Sequence, residues 1–228
     1  MPMPPAALAA ALAPYGVAPD PALMARLAHY LELVAAGQRR ARLVGDAAPE
    51  ALAARHLGES LYLGQLLDLS SMHRLVDLGS GAGFPGLALA IAWPNLKTTL
   101  VESTQKKAAF LEQAVAALGL TAQVEVWPHF LPRHPPQGRA PLAAADLLTV
   151  RALDKMAELP SWLWRWLDPT TRAAFWLTAP TAELWRQNTT HWHWGSFSPL
   201  PGAESRGLQL AIVSRGTPSP EPSLTPNP

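Results

Sequence analysis

A glycine-rich turn constrains the fold of this chain more than any other feature of its sequence. The apolar run Leu75–Leu78 leads directly into the segment GSGAGFPG at positions 79–86, and an apolar helical pattern follows. Glycines permit a tight turn and a close approach of backbone to ligand, and the helix N-terminus offers free N–H donors. The order of strand, glycine turn and helix therefore predicts a ligand-binding βαβ unit.

The ligand expected at this turn is a nucleoside with an amino-acid portion. Glu102 ends the next predicted strand, about 20 residues beyond the glycines, where a carboxylate accepts hydrogen bonds from ribose hydroxyls. Dinucleotide sites usually show the spacing Gly-x-Gly-x-x-Gly, whereas these glycines stand at 79, 81 and 83, after Asp77. An aspartate at the end of the first strand suits an amino-acid group better than a pyrophosphate. The pattern favours an S-adenosylmethionine-dependent methyltransferase over a dinucleotide enzyme.

The rest of the chain predicts an α/β fold. From Arg74 onward short apolar segments alternate with helical patterns, which is typical of a mainly parallel sheet. We expect a Rossmann-like class I methyltransferase domain over 71–216, with seven strands of which the last two form a hairpin. The predicted strands are 74–78, 97–102, 122–127, 146–151, 173–178, 191–197 and 208–214. Predicted helices occupy 85–92, 105–118, 155–167 and 181–187.

The two ends of the chain have different patterns. Residues 1–70 are expected to form a helical extension, with helices over Pro21–Gly37 and Pro49–Leu67. Gly37 is predicted to end the first of these helices, so that Gln38–Arg42 forms a short basic loop. The tail 217–228 contains five prolines and is expected to be disordered.

Composition excludes several classes of protein. Hydrophobic residues make up 49% of the chain and charged residues 15%, which predicts a packed globular body. The absence of cysteine excludes disulfides, cysteine-ligated metals and a cysteine nucleophile, and no metal site is expected. Residues 1–13 lack the basic region of a secretory signal, and no apolar run reaches membrane length. We therefore expect a cytoplasmic monomer with no membrane partner.

Several motifs together resemble one family. They are GSGAGFPG at 79–86, Trp93-Pro94, Glu102-Ser103, Lys106-Lys107, Phe110-Leu111, Leu118-Gly119-Leu120, RHLGESL at 55–61 and Val150-Arg151-Ala152. On these residues the chain resembles the RsmG (GidB) family, which methylates N7 of one guanine in small-subunit ribosomal RNA. The family's own form of the 55–61 motif is Arg-His-x-x-Asp-Ser. The resemblance implies S-adenosylmethionine as cofactor and the RNA of the small ribosomal subunit as partner.

The resemblance also implies a set of site residues. The expected cofactor-binding residues are Asp77, Gly79, Ser80, Gly81, Gly83, Phe84, Glu102, Pro128, His129 and Arg151. Within this set Glu102 holds the ribose hydroxyls, and Asp77 supports the loop or reaches the cofactor's amino group through water. Arg151 is the expected catalytic residue, because it would position both cofactor and guanine. The alternative for Arg151 is an ordinary ion pair with Asp146 or Glu158.

Residues expected to contact RNA lie outside the glycine turn. They are His56, Arg39, Arg40, Lys106 and Lys107, and a further basic group consists of Arg133, His134 and Arg139. Basic side chains meet phosphates, which supply most nucleic-acid affinity. The alternative for the basic residues is a solvated face, and the alternative for His56 is a hydrogen-bonded histidine of the core.

Aromatic residues leave further alternatives open. The segment WPHF at 127–130 replaces a family segment near the adenine, so Trp127 or Phe130 packs against adenine or belongs to the core. Seven of the nine tryptophans lie between Trp162 and Trp194, where core packing is favoured over a platform for RNA bases. His191 and His193 share one face of a predicted strand, and exposed histidines are favoured there over metal ligands.

The chemistry of guanine N7 agrees with these residues. N7 carries an available lone pair, so methyl transfer requires alignment more than a general base. The chain lacks both an Asn/Asp-Pro-Pro-aromatic motif and the cysteine that carbon-5 methylation of pyrimidines requires. The family's late Lys-Gly reads TAP at 178–180. Two alternatives follow: a methyltransferase of the same fold that acts on another RNA or a small molecule, and a non-catalytic S-adenosylmethionine-binding protein.

Overall fold

The computed structural model describes residues 3–131, 133, 144–151 and 158–215. Seven strands form one sheet: β1 Arg74–Leu78, β2 Lys97–Val101, β3 Val124–Trp127, β4 Leu147–Arg151, β5 Arg172–Thr178, β6 Trp192–Pro199 and β7 Leu208–Arg215. Their order in the sheet is β3-β2-β1-β4-β5-β7-β6. The first five strands are parallel to one another, whereas β7 pairs antiparallel with both β5 and β6. The predicted parallel sheet and the terminal hairpin are therefore confirmed.

Helices cover both faces of this sheet. They are α1 Pro5–Leu12, α2 Pro21–Ala41, α3 Pro49–Ala51, α4 Glu59–Leu61, α5 Gly86–Ala92, α6 Gln105–Ala117, α7 Leu159–Leu163 and α8 Ala179–Asn188. A π-helical segment, Leu52–Gly58, joins α3 to α4, so the helix predicted over Pro49–Leu67 contains wider turns in its middle. Short 3₁₀ turns lie at Ala13–Tyr15, Tyr62–Gln65, Leu69–Ser71, Trp164–Trp166 and Glu204–Arg206. Of the helix predicted over 155–167, residues 155–157 lie outside the described part.

Both faces of the sheet are buried, as is typical of parallel sheets. On one face Leu75, Leu100 and Leu147 pack in a hydrophobic core with the N-terminal helices, α5 and α6. Neighbouring residues of these strands, such as Val76 and Leu148, point to the other face and pack with α7 and α8. The N-terminal helices thus share a core with the sheet, and the division predicted at residue 70 stays a prediction. The predicted disordered tail, 217–228, lies outside the described residues.

The basic loop predicted over Gln38–Arg42 is wrong, because α2 continues to Ala41. Gly37 does not end this helix. A Cβ at Gly37 would lie 2.7 Å from the ring of Phe110, so the glycine allows α2 and α6 to approach closely. The helix instead ends at Ala41 and is capped by Arg42, whose φ angle is 45°. Beyond it, the Gln38 side chain exchanges two hydrogen bonds with the Val44 backbone, at 2.7 and 3.0 Å.

Within the described ranges no helix combines the length and the apolar character that a membrane span requires.

Candidate active site

The glycine loop joins β1 to α5 and folds against the end of β2. Backbone N–H groups of Gly79 and Ser80 donate to the carbonyl oxygen of Val101, at 2.8 and 3.1 Å. The φ angles of Gly79, Gly81 and Gly83 are 76°, 59° and 98°, in the left-handed region that glycine adopts without strain. The loop lies beside the boundary between β1 and β4, where the strand order reverses and open α/β sheets bind ligands.

The carboxylate of Asp77 lies beneath this loop and is buried. Its Oδ2 accepts a hydrogen bond from the Gly86 N–H at 3.1 Å, and its Oδ1 accepts one from the Thr149 hydroxyl at 2.7 Å. Burial, opposed mainly by the bond from Thr149, raises the pKa of Asp77 to about 6. Of the two roles predicted for Asp77, these contacts describe support of the loop. Contact with a cofactor's amino group stays a prediction.

Gly83 packs differently from the other glycines of the loop. The sequence predicts that it lines the cofactor with them, which stays a prediction, and the structure packs it against α2 and α5. A Cβ at Gly83 would lie 2.8 Å from both the Tyr30 hydroxyl and the Leu87 Cβ. The glycine at this position therefore allows the loop to pack on α2, and it does not line the cavity described below.

Glu102 connects the end of β2 to the glycine loop. Its Oε2 accepts a hydrogen bond from the Gly81 N–H at 2.9 Å, and its Oε1 accepts one from the Thr104 N–H at 2.7 Å. Each carboxylate oxygen has a further lone pair with which to accept another donor. Glu102 thus fixes the loop from within the cavity wall and keeps capacity for a ligand.

A cavity of about 420 Å³ opens beside the loop. Its walls combine sequence regions that are far apart: Leu43, Val44, Gly45, His56, Gly79, Ser80, Gly81, Ala82, Phe84, Glu102, Ser103, Thr104, Lys107 and Arg151. The glycine loop and Glu102 form one side of it. The segment 43–45 and His56, both from the N-terminal helical region, form another part of its wall. The structure therefore brings together most of the predicted cofactor residues and two predicted RNA residues, His56 and Lys107.

His56 lies in the π-helical segment and forms part of the cavity wall. Its ring stacks on Phe84, with the ring centroids 5.3 Å apart and the planes inclined by 29°. Burial, together with the nearby charge of Arg151, lowers the pKa of His56 to about 4. The imidazole is consequently neutral at neutral pH. His56 therefore lines the cavity and also bonds to the backbone of Asp46, so features of both alternatives are present, and a contact with RNA stays a prediction.

Arg151 lies at the end of β4 and also lines the cavity, but neither ion-pair partner considered from the sequence is correct. Asp146 accepts hydrogen bonds from two backbone N–H groups, and Glu158 pairs with Arg133. The partner of Arg151 is Glu59, at 2.7 Å. A charged pair between β4 and α4 could not be foreseen, since 92 residues separate the two.

The guanidinium of Arg151 also donates hydrogen bonds to the π-helical segment. Its Nη1 donates to the His56 carbonyl oxygen at 3.0 Å and to the Ser60 hydroxyl at 3.2 Å. Its Nη2 donates to the carbonyl oxygen of Arg55 as well as to Glu59. Four N–H groups of the guanidinium are therefore engaged within the protein. Arg151 holds the wall that carries His56, while a role in contacting cofactor and guanine stays a prediction.

Glu59 was missed as a functional residue. Its side chain is fully buried, and its second oxygen pairs with Arg206, which lies in the 3₁₀ turn before β7. The available signal was its place in the RHLGESL motif at 55–61, where the family has an aspartate, because a fully buried carboxylate requires a partner. The partners themselves could not be read from local sequence.

The segment WPHF borders a second, smaller cavity of about 60 Å³, which shares Gly79 and Ser103 with the first. His129 and Phe130 line it, and Phe130 is 63% exposed. Trp127 is partly buried and packs against the hydrophobic core, as in one of its two alternatives, and its packing on adenine stays a prediction. Pro128 lines neither cavity, and its carbonyl oxygen accepts a hydrogen bond from Gln105 at 3.3 Å.

The basic residues predicted to contact RNA lie in different parts of the structure. Lys107 lines the main cavity, whereas Lys106 and Arg40 both line a groove of about 540 Å³ between α2 and α6. Arg39 is exposed on the last turn of α2. Arg133 pairs with Glu158, and the other two residues of its basic group, at 134 and 139, lie outside the described residues. Contacts of these side chains with RNA stay a prediction.

Most of the clustered tryptophans form core. Trp162, Trp166, Trp176, Trp185 and Trp192 are all buried, which agrees with the favoured alternative. His191 stacks on the partly buried Trp164, with 4.1 Å between the ring centroids. In the part of the chain that the structure describes, no histidine or carboxylate cluster has the arrangement of a metal site.

Comparison with known families identifies the chain. The sequence model of the rRNA small subunit methyltransferase G (GidB) family matches residues 23–199, well over half of its 228 residues. The chain belongs to this family. The match to the methyltransferase G family begins inside α2 and ends with β6, so most of the N-terminal helical region lies within it. The resemblance seen in the sequence motifs is thereby confirmed.

Curated relatives carry the same family name, ribosomal RNA small subunit methyltransferase G. The protein of Sorangium cellulosum is 43% identical over 158 residues, covering 68% of this chain and 64% of the relative. That of Nitrosomonas europaea is 48% identical over 98 residues, covering 43% and 44%. That of Hyphomonas neptunium is 33% identical over 198 residues, covering 83% and 86%. The chain thus matches less than two thirds of the length of the first two methyltransferase G relatives.

Solved structures confirm the fold class of this methyltransferase G family member. The mitomycin 7-O-methyltransferase MmcR superposes with a TM-score of 0.56 and 17% identity, over 94% of this chain and 74% of that one. An RNA methyltransferase from Salinibacter ruber, solved with S-adenosyl-L-homocysteine, gives a TM-score of 0.50 and 17% identity, over 70% and 93%. At this identity the likeness shows a Rossmann-like fold and nothing about substrate.

Proposed function

We propose that this chain transfers a methyl group from S-adenosylmethionine to N7 of a guanine in small-subunit ribosomal RNA. One observation carries the proposal: a single cavity of about 420 Å³ has the glycine loop and Glu102 on one side and His56 and Arg151 on another. Family membership supports the choice of substrate, because the relatives are named ribosomal RNA small subunit methyltransferase G.

The loop and Glu102 fit the cofactor. A Cβ at Gly81 would meet no atom nearer than the Gly79 carbonyl oxygen, at 3.8 Å, so the space above this glycine is open to a ligand. Glu102 would accept hydrogen bonds from the ribose hydroxyls, and Phe130 would pack on the adenine from the adjoining cavity. When bound, S-adenosylmethionine supplies an electrophilic methyl group on its sulfonium.

The other side of the cavity suits alignment of a guanine. The N7 lone pair needs no removal of a proton, and its attack requires only correct placement and exclusion of water. His56 is neutral at neutral pH, so it adds no positive charge beside a base that becomes cationic as it is methylated. The His56 ring stacks on Phe84, and a base would pack against this aromatic part of the wall.

Basic side chains near the cavity would hold the RNA backbone. Lys107 is part of the cavity wall, and Lys106, Arg40 and Arg39 extend from it along α6 and α2. Phosphate contacts of this kind position a nucleic acid and make its affinity depend on salt. We expect RNA binding to fall steeply as salt rises, and a flat response to salt would argue against this face.

The decisive experiment is transfer of a labelled methyl group to small ribosomal subunits that lack the modification, with naked RNA alongside. Incorporation that maps to one guanine N7 supports the proposal. Glu102→Gln should lose transfer at low cofactor concentration, while Glu112→Gln, an exposed change on α6, should not. Label in another RNA would instead support the alternative substrate, and cofactor binding without transfer to any substrate would support a non-catalytic role.

A ribosomal substrate implies action in the cytoplasm, and we propose this location together with a monomeric state. Fractionation of cells should find the chain with assembling small subunits. Size-exclusion chromatography with light scattering should give a mass near 24.5 kDa for the free protein. A mass of twice that value would overturn the proposed monomer.

A further inference from the structure

One buried carboxylate joins two distant parts of the fold. The side chain of Glu59 has no exposed surface, and each of its oxygens is paired with a different arginine. Arg151 approaches from the end of β4, at 2.7 Å, and Arg206 approaches from the turn before β7. In addition, the indole N–H of Trp176 donates to the Glu59 carbonyl oxygen at 3.1 Å.

The first arginine leads directly to the cavity. Arg151 lines the cavity and donates to the carbonyl oxygens of Arg55 and His56, in the π-helical segment. The ring of His56 in turn stacks on Phe84 of the glycine loop. The position of the His56 wall therefore depends on where Glu59 holds the Arg151 guanidinium.

The second arginine lies outside the cavity. Arg206 is in the 3₁₀ turn Glu204–Arg206, and its side chain is 35% exposed, so it touches solvent as well as Glu59. Removal of one partner from a buried charge leaves a charge without full compensation, and the remaining groups rearrange to recover it. If Arg206 were lost, Glu59 would draw Arg151 toward both of its oxygens and away from its bonds to the π-helical segment.

We propose that Glu59 and Arg206 are positioning residues for methyl transfer, acting through Arg151 on the His56 wall of the cavity. This inference rests on the proposed function, since it names residues that serve the same site. The turn at 204–206, which no motif singles out, then becomes part of the machinery that aligns the target base. Neither residue contacts the cavity itself.

The test compares two arginine–glutamate pairs. Arg206→Gln should lower kcat for methyl transfer by about 10-fold, because a small misplacement at an active site has a large effect on rate. The Kd for S-adenosylmethionine should stay within about threefold of wild type, since the glycine loop and Glu102 are untouched. Arg206→Lys, which keeps the charge beside Glu59, should recover most of the rate. The matched control is Arg186→Gln, in the exposed pair with Glu183, and it should leave kcat unchanged.

A second readout separates positioning from general loss of stability. The charge of Arg151 helps to lower the pKa of His56, so a displaced guanidinium should let His56 titrate at a higher pH. NMR titration of the imidazole in wild type, Arg206→Gln and Glu59→Gln measures this on the free protein. The proposal is overturned if the His56 titration is unchanged in both variants, or if Arg206→Lys is as slow as Arg206→Gln. Should wild type transfer no methyl group at all, the proposed function fails and the inference fails with it, and a changed titration would then show only that Glu59 and Arg206 position the His56 wall.

Discussion

The phenol of Tyr30, on α2, donates a hydrogen bond of 2.8 Å to the carbonyl oxygen of Ala82 in the glycine loop. Tyr30 is fully buried, and its ring also contacts Phe84, with 5.1 Å between centroids. Burial, together with the charge of Asp77, raises the pKa of Tyr30 well above its ordinary value, so the hydroxyl stays a donor. An N-terminal helix thus fixes the loop proposed to bind the cofactor.

Tyr30→Phe should destabilise the protein by about 1–3 kcal/mol, because it leaves a buried carbonyl oxygen without its donor. The Kd for S-adenosylmethionine should rise a fewfold, since the loop loses its tie to α2. Urea unfolding and calorimetric titration measure the two effects. Tyr62→Phe, on the half-buried tyrosine of a neighbouring helical turn, is the matched control and should change the free energy of unfolding by about 0.5 kcal/mol or less.

Asp77 and His56 should give the protein opposing responses to pH. The pKa of Asp77 is about 6 in the folded state, above its ordinary 3.8, so the folded state holds a proton that the unfolded chain releases between these values. Its contribution to the free energy of unfolding therefore falls as pH rises from about 4 to 6. The pKa of His56 is lowered from 6.5 to about 4, so its contribution is lost as pH falls through that window.

Asp77→Asn should remove the contribution of Asp77 to the pH dependence of unfolding and leave that of His56. The variant lacks the fall in stability between pH 4 and 6, so its free energy of unfolding relative to wild type should increase with pH across that window. The slope of this difference should be at most about 1.4 kcal/mol per pH unit. Urea unfolding at several pH values provides the measurement. A difference that does not vary with pH would show that Asp77 titrates normally.

Thr149→Val offers an independent check on the same carboxyl group. The Thr149 hydroxyl donates to Asp77 and lowers the pKa of that residue, so its removal should raise the pKa further. The contribution of Asp77 to the free energy of unfolding should then continue to fall above pH 6. A shift to lower pH would contradict the assignment of the titration to Asp77.

Local patterns were sufficient for most of the fold. The strand over Arg74–Leu78 was predicted with its observed limits, because an apolar run bounded by a glycine turn has little alternative in a parallel sheet. The hairpin of β6 and β7 followed from two strand patterns with no helix between them. Glu102 also reached its predicted place at the loop, since the carboxyl ends of neighbouring parallel strands lie at one edge of a sheet.

Long-range pairing was beyond local patterns. Glu59 bonds to residues that lie 92 and 147 positions away, and nothing in the sequence near any of the three specifies the other two. The surroundings of Gly83 were likewise not predictable from the sequence next to it. Its spacing matched that of the other glycines of the loop, but the structure shows that a side chain at this position would collide with Tyr30. Such positions depend on which helix packs over the loop, and only the folded chain decides that.

Gly37 was wrongly predicted to end α2, and a substitution tests the role that the structure gives it instead. If it allows close packing of α2 on α6, Gly37→Ala should be destabilising, because its Cβ would lie within 3.0 Å of both Phe110 and Leu43. We expect a loss of about 1–3 kcal/mol, as for other overpacked cores. Gly45→Ala places a Cβ in open space and serves as the control. If nothing crowded this position inside α2, Gly37→Ala would instead stabilise the protein, since alanine favours a helix interior more than glycine does.

A substitution of Phe130 tests where the adenine of the cofactor would lie. It is one of two large hydrophobic side chains that stand out as exposed in the described part of the chain, at 63%, and it borders the small cavity beside Gly79. Phe130→Ala should weaken S-adenosylmethionine binding by about 3-fold to 10-fold, because an aromatic contact contributes about 0.5–1.5 kcal/mol. The free energy of unfolding should barely change, since the ring packs little in the free protein. Leu184→Ala, at 48% exposure on α8, is the matched control and should leave the Kd unchanged. Equal affinities for all three proteins would place the adenine elsewhere and leave Phe130 to contact RNA.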